Sequence, residues 1–250
     1  MKEELIQYTF FGKVFPERAN VHISTVELIL SNSGAGISGK LKISIQVSQI
    51  TAVFSTNSKV ENIFTLKNII EDAIRLEVDI LGYLFGCGYD IEVTTMVDSE
   101  GNEPVIFGIG IWELENQKDK RPKNINEIFP LFSDHRGDYL RRCFGDIREA
   151  IRVPKDTGFF CYRAIETIRQ YFLKEKNSRS ERESWEQLRE DLKIQRSQID
   201  FVKSFADPIR HGDVKYISAE ERSKVLTDTW DIIDRFVIYA SNGYEPISID

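Results

Sequence analysis

The chain has 250 residues, a net charge of −7, 41% hydrophobic and 11% aromatic residues. That apolar content packs one large or two ordinary domains and excludes a disordered chain. No apolar run approaches the ~20 residues that span a bilayer, and Met1-Lys2-Glu3-Glu4 opens no signal core. The expectation is a cytoplasmic protein without membrane association.

Charge is unevenly spread. Residues 1–115 hold 8 Lys/Arg against 16 Asp/Glu, and residues 116–216 hold 22 against 17. Residues 217–250 hold 3 against 7. The net +5 middle section is the one stretch suited to a polyanion. Cys87, Cys143 and Cys161 lack CxxC spacing and read as reduced, buried thiols rather than disulfide or zinc ligands.

The first half reads mostly as strands. Tyr8 to Phe15 is aromatic-rich and Val26 to Leu30 is apolar. Leu41, Ile43, Ile45 and Val47 alternate with polar residues, the pattern of a half-buried strand. Leu66, Ile69, Ile70, Ala73, Ile80, Leu81 and Leu84 share a face of a helix over 65–85, and Gly86 and Gly88 offer stop positions. Ile91, Val93 and Thr95 then form a strand. The turn residues 98–102 lead to a second alternating run, Val105, Phe107, Ile109 and Ile111, which predicts a hairpin. Residues 1–115 are therefore expected to form an α+β domain, a mostly antiparallel sheet with one covering helix.

Residues 116–130 read as a charged linker, and the period changes to helical beyond it. Leu140, Cys143, Ile147 and Ile151 mark one helix, ending before Pro154. Cys161, Ile165, Ile168 and Phe172 mark a second, with Asp156 or Thr157 as its cap. Trp185, Leu188 and Leu192 mark a third. Ser197 with Asp200 opens a fourth, and Ser218 with Glu221 is a capping-box signature for the last. Asn242-Gly243 closes it. Residues 131–243 thus predict an all-α bundle.

Several stretches carry residues capable of chemistry. Ser33-Gly34-Ala35-Gly36-Ile37-Ser38-Gly39-Lys40 contains GxGxxG and GxxxxGK, but a phosphate loop needs a helix next. An alternating strand follows instead, so a glycine-rich hairpin loop is expected. His22, His135 and His211 are isolated, so no metal and no cofactor is expected. His22 and His135 read as surface residues. Phe159, Phe160, Tyr162, Tyr171 and Phe172 read as core, and Arg163, Glu166 and Arg169 as local ion pairs.

One junction stands apart, Phe205-Ala206-Asp207-Pro208-Ile209-Arg210-His211-Gly212-Asp213. Pro208 lacks an amide donor and is expected to stop the fourth helix, and Gly212 permits a sharp exit. His211 is the candidate general acid/base, Arg210 the phosphate binder and Asp207 the group that orients the imidazole.

This junction, the helix Gly158 to Arg169 and the long last helix together resemble the HEPN superfamily of small helical bundles. The resemblance covers a little under half of the chain. It implies a homodimer acting on or binding RNA, as metal-independent ribonucleases of toxin–antitoxin and antiphage systems do. In that chemistry a histidine and an arginine cooperate while a ribose 2′-OH attacks the adjacent phosphate. Here His211 matches the histidine and Asp207 the polar residue, while Ala206 stands where the arginine is expected. The departure leaves open a non-catalytic alternative, a dimerisation or partner-docking bundle with a ligand- or protein-binding N-terminal domain.

Overall fold

The computed structural model describes residues 5–108, 110–116, 125–213 and 217–248. The chain divides into two compact units, Met1–Ile109 and Gly110–Asp250.

The first unit is an antiparallel sheet covered by one helix, as its alternating pattern implies. Strands β1 (Ile6–Phe15), β2 (Ile23–Asn32), β3 (Ile37–Gln46), β4 (Gln49–Thr56), β5 (Asp90–Asp98) and β6 (Val105–Ile106) lie in the order β2-β3-β4-β1-β5-β6. Helix α1 (Ile63–Phe85) connects β4 to β5, which flank β1 on either side. Register sets Leu41 opposite Phe54 and Ile43 opposite Ala52, and β1 places Tyr8 and Phe10 opposite the same two residues of β4. These side chains are buried with Leu66, Ile70, Ile74 and Val78 of α1. The sheet's fit is tight at Gly12, where the β1–β5 register shifts. A Cβ there would stand 2.2 Å from the Glu92 carbonyl oxygen.

Three details depart from the sequence reading. Strand β4 was not expected, although Ile50, Ala52 and Phe54 alternate inward along it. The hairpin of β5 and β6 exists, but β6 pairs only through Val105 and Ile106. Ile109 lies outside the described residues. Ile111 and Leu114, the latter on helix α2 (Trp112–Glu115), pack with the helices of the second unit, Leu114 fully within that core, so the strand pattern read through Ile111 ends early. Of the glycine-rich stretch, residues 33–36 are the β2–β3 hairpin loop, with Gly36 at φ +65° and Ala35 N–H donating to Asn32 Oδ1, while Gly39 and Lys40 are already paired in β3.

Of the expected linker, residues 117–124 lie outside the described residues. The second unit then runs α3 (Ile125–Ile128), α4 (Gly137–Arg152), α5 (Thr157–Lys174), α6 (Glu181–Leu192), α7 (Arg196–Arg210) and α8 (Ala219–Ser241). Helix α5 is the hub, packed against α4, α6, α7 and α8. Its core side chains Cys161, Ile165, Ile168 and Phe172 are fully buried. The α5–α7 contact is close: a Cβ on Gly158 would stand 2.6 Å from the Phe205 Cβ. Ser218 and Glu221 form the expected capping box on α8, whereas α7 is capped by Gln195 and Gln198, two residues earlier than Ser197 suggests. No helix among the described residues is long and apolar enough to cross a membrane.

Candidate nucleic-acid interface

The α6–α7 connection creates the most chemically distinctive feature of the second unit. Ser180 caps α6 by accepting from Glu183 N–H. Lys193, in the left-handed region at φ +55°, ends it. Only three residues then separate α6 from α7. Both helices pack on α5 but scarcely on each other. The gap is a cleft of about 410 Å³ lined by Tyr162, Arg182, Trp185, Glu186, Arg189, Arg196, Ile199, Asp200 and Lys203.

Its cations follow a spacing rule that is present in the sequence but matches no short motif. Arg182, Arg189, Arg196, Lys203 and Arg210 recur every seventh residue. Seven residues are close to two helical turns, so one spacing sets a basic stripe along α6 and another along α7. The first four cations line the cleft, and Arg210 continues the α7 stripe beyond it. Three are matched by an acid four residues on. Arg182 Nε is 2.9 Å from Glu186, Arg196 Nε 3.2 Å from Asp200, and Lys203 Nζ 3.9 Å from Asp207. Position 193, four beyond Arg189, is a lysine. Among the described residues the half-buried Arg189 side chain forms no ion pair or hydrogen bond. The cleft therefore carries four cations against two acids. Exposed pairs of this kind are weak, so an incoming anion displaces them readily.

Aromatic surface lies between the charges. Trp185 stands on the α6 face between Arg182 and Arg189 and stacks on Tyr162 of α5, with centroids 6.3 Å apart and planes 18° from parallel. Burial, with the nearby Glu166 and Asp207 carboxylates, pushes the Tyr162 hydroxyl up to about 12. It therefore stays protonated as a donor.

The junction flagged in the sequence adjoins this cleft. Pro208 does not stop α7, which runs through it to Arg210. The ring is tolerated in the last turn, where the helix is ending anyway. Gly212, at φ +81°, donates to the Ile209 carbonyl at 3.1 Å, and Asp213 N–H to the Pro208 carbonyl at 2.9 Å. This is a Schellman cap, which supplies a structural reason for the glycine. Asp207 pairs with Lys203 rather than with the imidazole. Arg210 Nη1 lies 3.6 Å from Glu166 Oε1 on α5. His211 is exposed, and among the described residues its ring makes no hydrogen bond. Its backbone N–H closes the helix on Asp207 and Pro208. The three candidates are thus neighbours in the chain but are not hydrogen-bonded to one another through their side chains. Ala206 is fully buried in the same helix.

Other expected roles changed. Arg163 pairs with Asp146 of α4, and Arg169 approaches Glu181 of α6, instead of both pairing locally with Glu166. Phe172, Tyr171 and Tyr162 are core, whereas Phe159 and Phe160 are half-buried with the Arg163 guanidinium over their rings. Cys87 is exposed, not buried, because it follows the Gly86 that ends α1. Burial pushes the Cys161 thiol up to about 12. His135 is exposed and lies 3.0 Å from Glu175 Oε2, beside Tyr139.

The fold and cleft define a two-unit α+β protein whose helical unit presents a basic, aromatic groove. Residues 8–107 match the family model described as the N-terminal domain of DUF8168, a domain of unknown function, and residues 125–241 match the model of its C-terminal domain. No curated protein and no solved structure matches the chain.

Proposed function

We propose that the helical unit binds single-stranded RNA in the α6–α7 cleft. The observation that carries this reading is the seven-residue cation stripe interleaved with the Trp185–Tyr162 platform. Cations neutralise phosphates without reading sequence. An aromatic face stacks any base, and such stacking holds single strands. The likeness of the Asp207–Gly212 junction to HEPN proteins favours RNA over DNA. The groove is built within one chain, so binding does not require a second copy.

The geometry supports binding better than cleavage. Phosphodiester transfer needs a base and a cation held together on one phosphate. In the free protein Arg210 lies nearest Glu166 and Asp207 nearest Lys203, and among the described residues the His211 ring has no partner, so no base and cation converge on one point.

Fluorescence anisotropy with a labelled unstructured RNA of about 15 nucleotides tests the reading. Binding should weaken steeply with KCl and weaken in Arg189→Ala. Absence of binding at low salt, or salt-insensitive binding unchanged in Arg189→Ala, overturns it. In parallel, the labelled RNA incubated with EDTA should stay intact. Cleavage that disappears in His211→Ala would restore the ribonuclease alternative.

A further inference from the structure

The cleft's neighbour on α5 is a cation without a sufficient partner. Arg169 lies seven residues after Tyr162, on the same helical face. Its side chain is only 7% exposed. Its Nε and Nη1 are shielded from water and find no hydrogen-bond acceptor among the described residues. The guanidinium carbon lies 5.7 Å from the centre of the Trp185 ring. Nη1 stands 3.6 Å from Glu181 Oε1, too far for a hydrogen bond. Glu181 is itself 77% exposed and is the first residue of α6.

A buried guanidinium with unspent donors is costly unless an anion satisfies it. Glu181 answers the charge only loosely, because its own carboxylate stays in water. A phosphate fits the planar fork better, since two of its oxygens can accept from Nη1, where Glu181 stands, and Nη2 together. The position beside Trp185 suits a nucleotide: base on the indole, phosphate on Arg169.

We propose that Arg169 is the anchor of a phosphate subsite, and that Glu181 holds this place in the free protein. The inference rests on the RNA-binding reading and adds to it a fixed phosphate position with a displaceable carboxylate. An RNA phosphate and a free phosphoanion share the chemistry, and the experiment separates them.

Two measurements decide it. By anisotropy, Glu181→Gln should tighten RNA binding about 3- to 10-fold, beyond the gain in Glu190→Gln, which removes the same charge further along α6. Arg169→Lys keeps the charge but loses the fork, and should cancel the Glu181→Gln gain in the double variant. By thermal shift, pyrophosphate should raise the melting temperature of the wild-type chain and of Glu181→Gln, and not of Arg169→Lys. Equal affinities for Glu181→Gln and Glu190→Gln overturn the RNA subsite even where Arg189→Ala weakens binding, leaving the wider reading intact. A pyrophosphate response that is absent in the wild type, or unchanged in Arg169→Lys, overturns the anchor. A response that needs Arg169 in a chain that binds no RNA keeps the anchor for a free phosphoanion and removes the RNA reading. Glu181 is exposed, so its substitution probes the site without disturbing the core.

Discussion

Arg210 and Glu166 stand 3.6 Å apart, joining the last turn of α7 to the middle of α5. Both are partly exposed, at 43% and 31%, so the pair is screened and adds little to stability. It instead sets a carboxylate beside the fifth cation of the stripe. Arg210→Ala should leave the melting temperature nearly unchanged. If Arg210 contacts one phosphate, its loss should flatten the dependence of log K on log[KCl] by about 0.7. Glu166→Gln should act oppositely and tighten binding. A salt titration of both variants checks this, and an unchanged slope in Arg210→Ala removes Arg210 from the interface.

Ala206→Arg places an arginine where the resemblance to HEPN proteins leads one to expect it, but should not create a nuclease. Ala206 is fully buried, one residue from Phe205, whose Cβ would lie 2.6 Å from a Cβ on Gly158. There is no room for a long side chain, and its charge would lack a counterion. Overpacking alone costs roughly 1–3 kcal/mol, and an unpaired buried charge adds to that. The expected result is a melting temperature lower by several degrees and no RNA cleavage in EDTA. A stable variant that cleaves RNA contradicts this account of the position.

How much of this was legible in the sequence depends on the distance over which each signal acts. The α8 capping box is local, three residues apart, and was read correctly. Strand β4 was missed although Ile50, Ala52 and Phe54 alternate. Its solvent-side Val53 blurs the contrast, and the turn at Val47 and Ser48, both with positive φ, separates it only narrowly from β3. The junction at Asp207–His211 drew attention because histidine, proline and glycine are conspicuous. Pro208 misled, since proline in a final helical turn removes only one bond. The cleft is the instructive omission. Its cations lie on two helices, and nothing local says that α6 and α7 diverge over α5. The seven-residue recurrence from Arg182 to Arg210 was the available clue. The exchange of partners among Arg163, Arg169, Arg210, Glu166 and Asp146 is purely tertiary.

Trp185 should carry a large share of the binding energy. It is half-buried, stacked on Tyr162 and flanked by Arg182 and Arg189. Stacking a base on an aromatic ring contributes about 1–3 kcal/mol, so Trp185→Ala should weaken RNA binding roughly 5- to 150-fold, with the salt slope kept. Trp185→Phe should recover part of the affinity. Equal affinity in wild type and Trp185→Ala means that bases do not stack there.

Glu77 on α1 sets a pH test for the first unit. Both carboxylate oxygens are shielded from water and lack a hydrogen-bond partner among the described residues. Desolvation raises the pKa above its ordinary 4.5. The folded state therefore holds the proton more tightly than the unfolded chain. The stability this provides is full below pH 4.5 and is lost as pH rises through the raised value. Glu77→Gln removes the titration, so the variant should gain stability relative to wild type between pH 4 and pH 7. Urea melts at the two values measure the change. All three tryptophans belong to the second unit, so far-UV circular dichroism must report the transition. A stability difference between variant and wild type that is the same at both pH values would show that the Glu77 carboxyl titrates alike in the folded and unfolded chains.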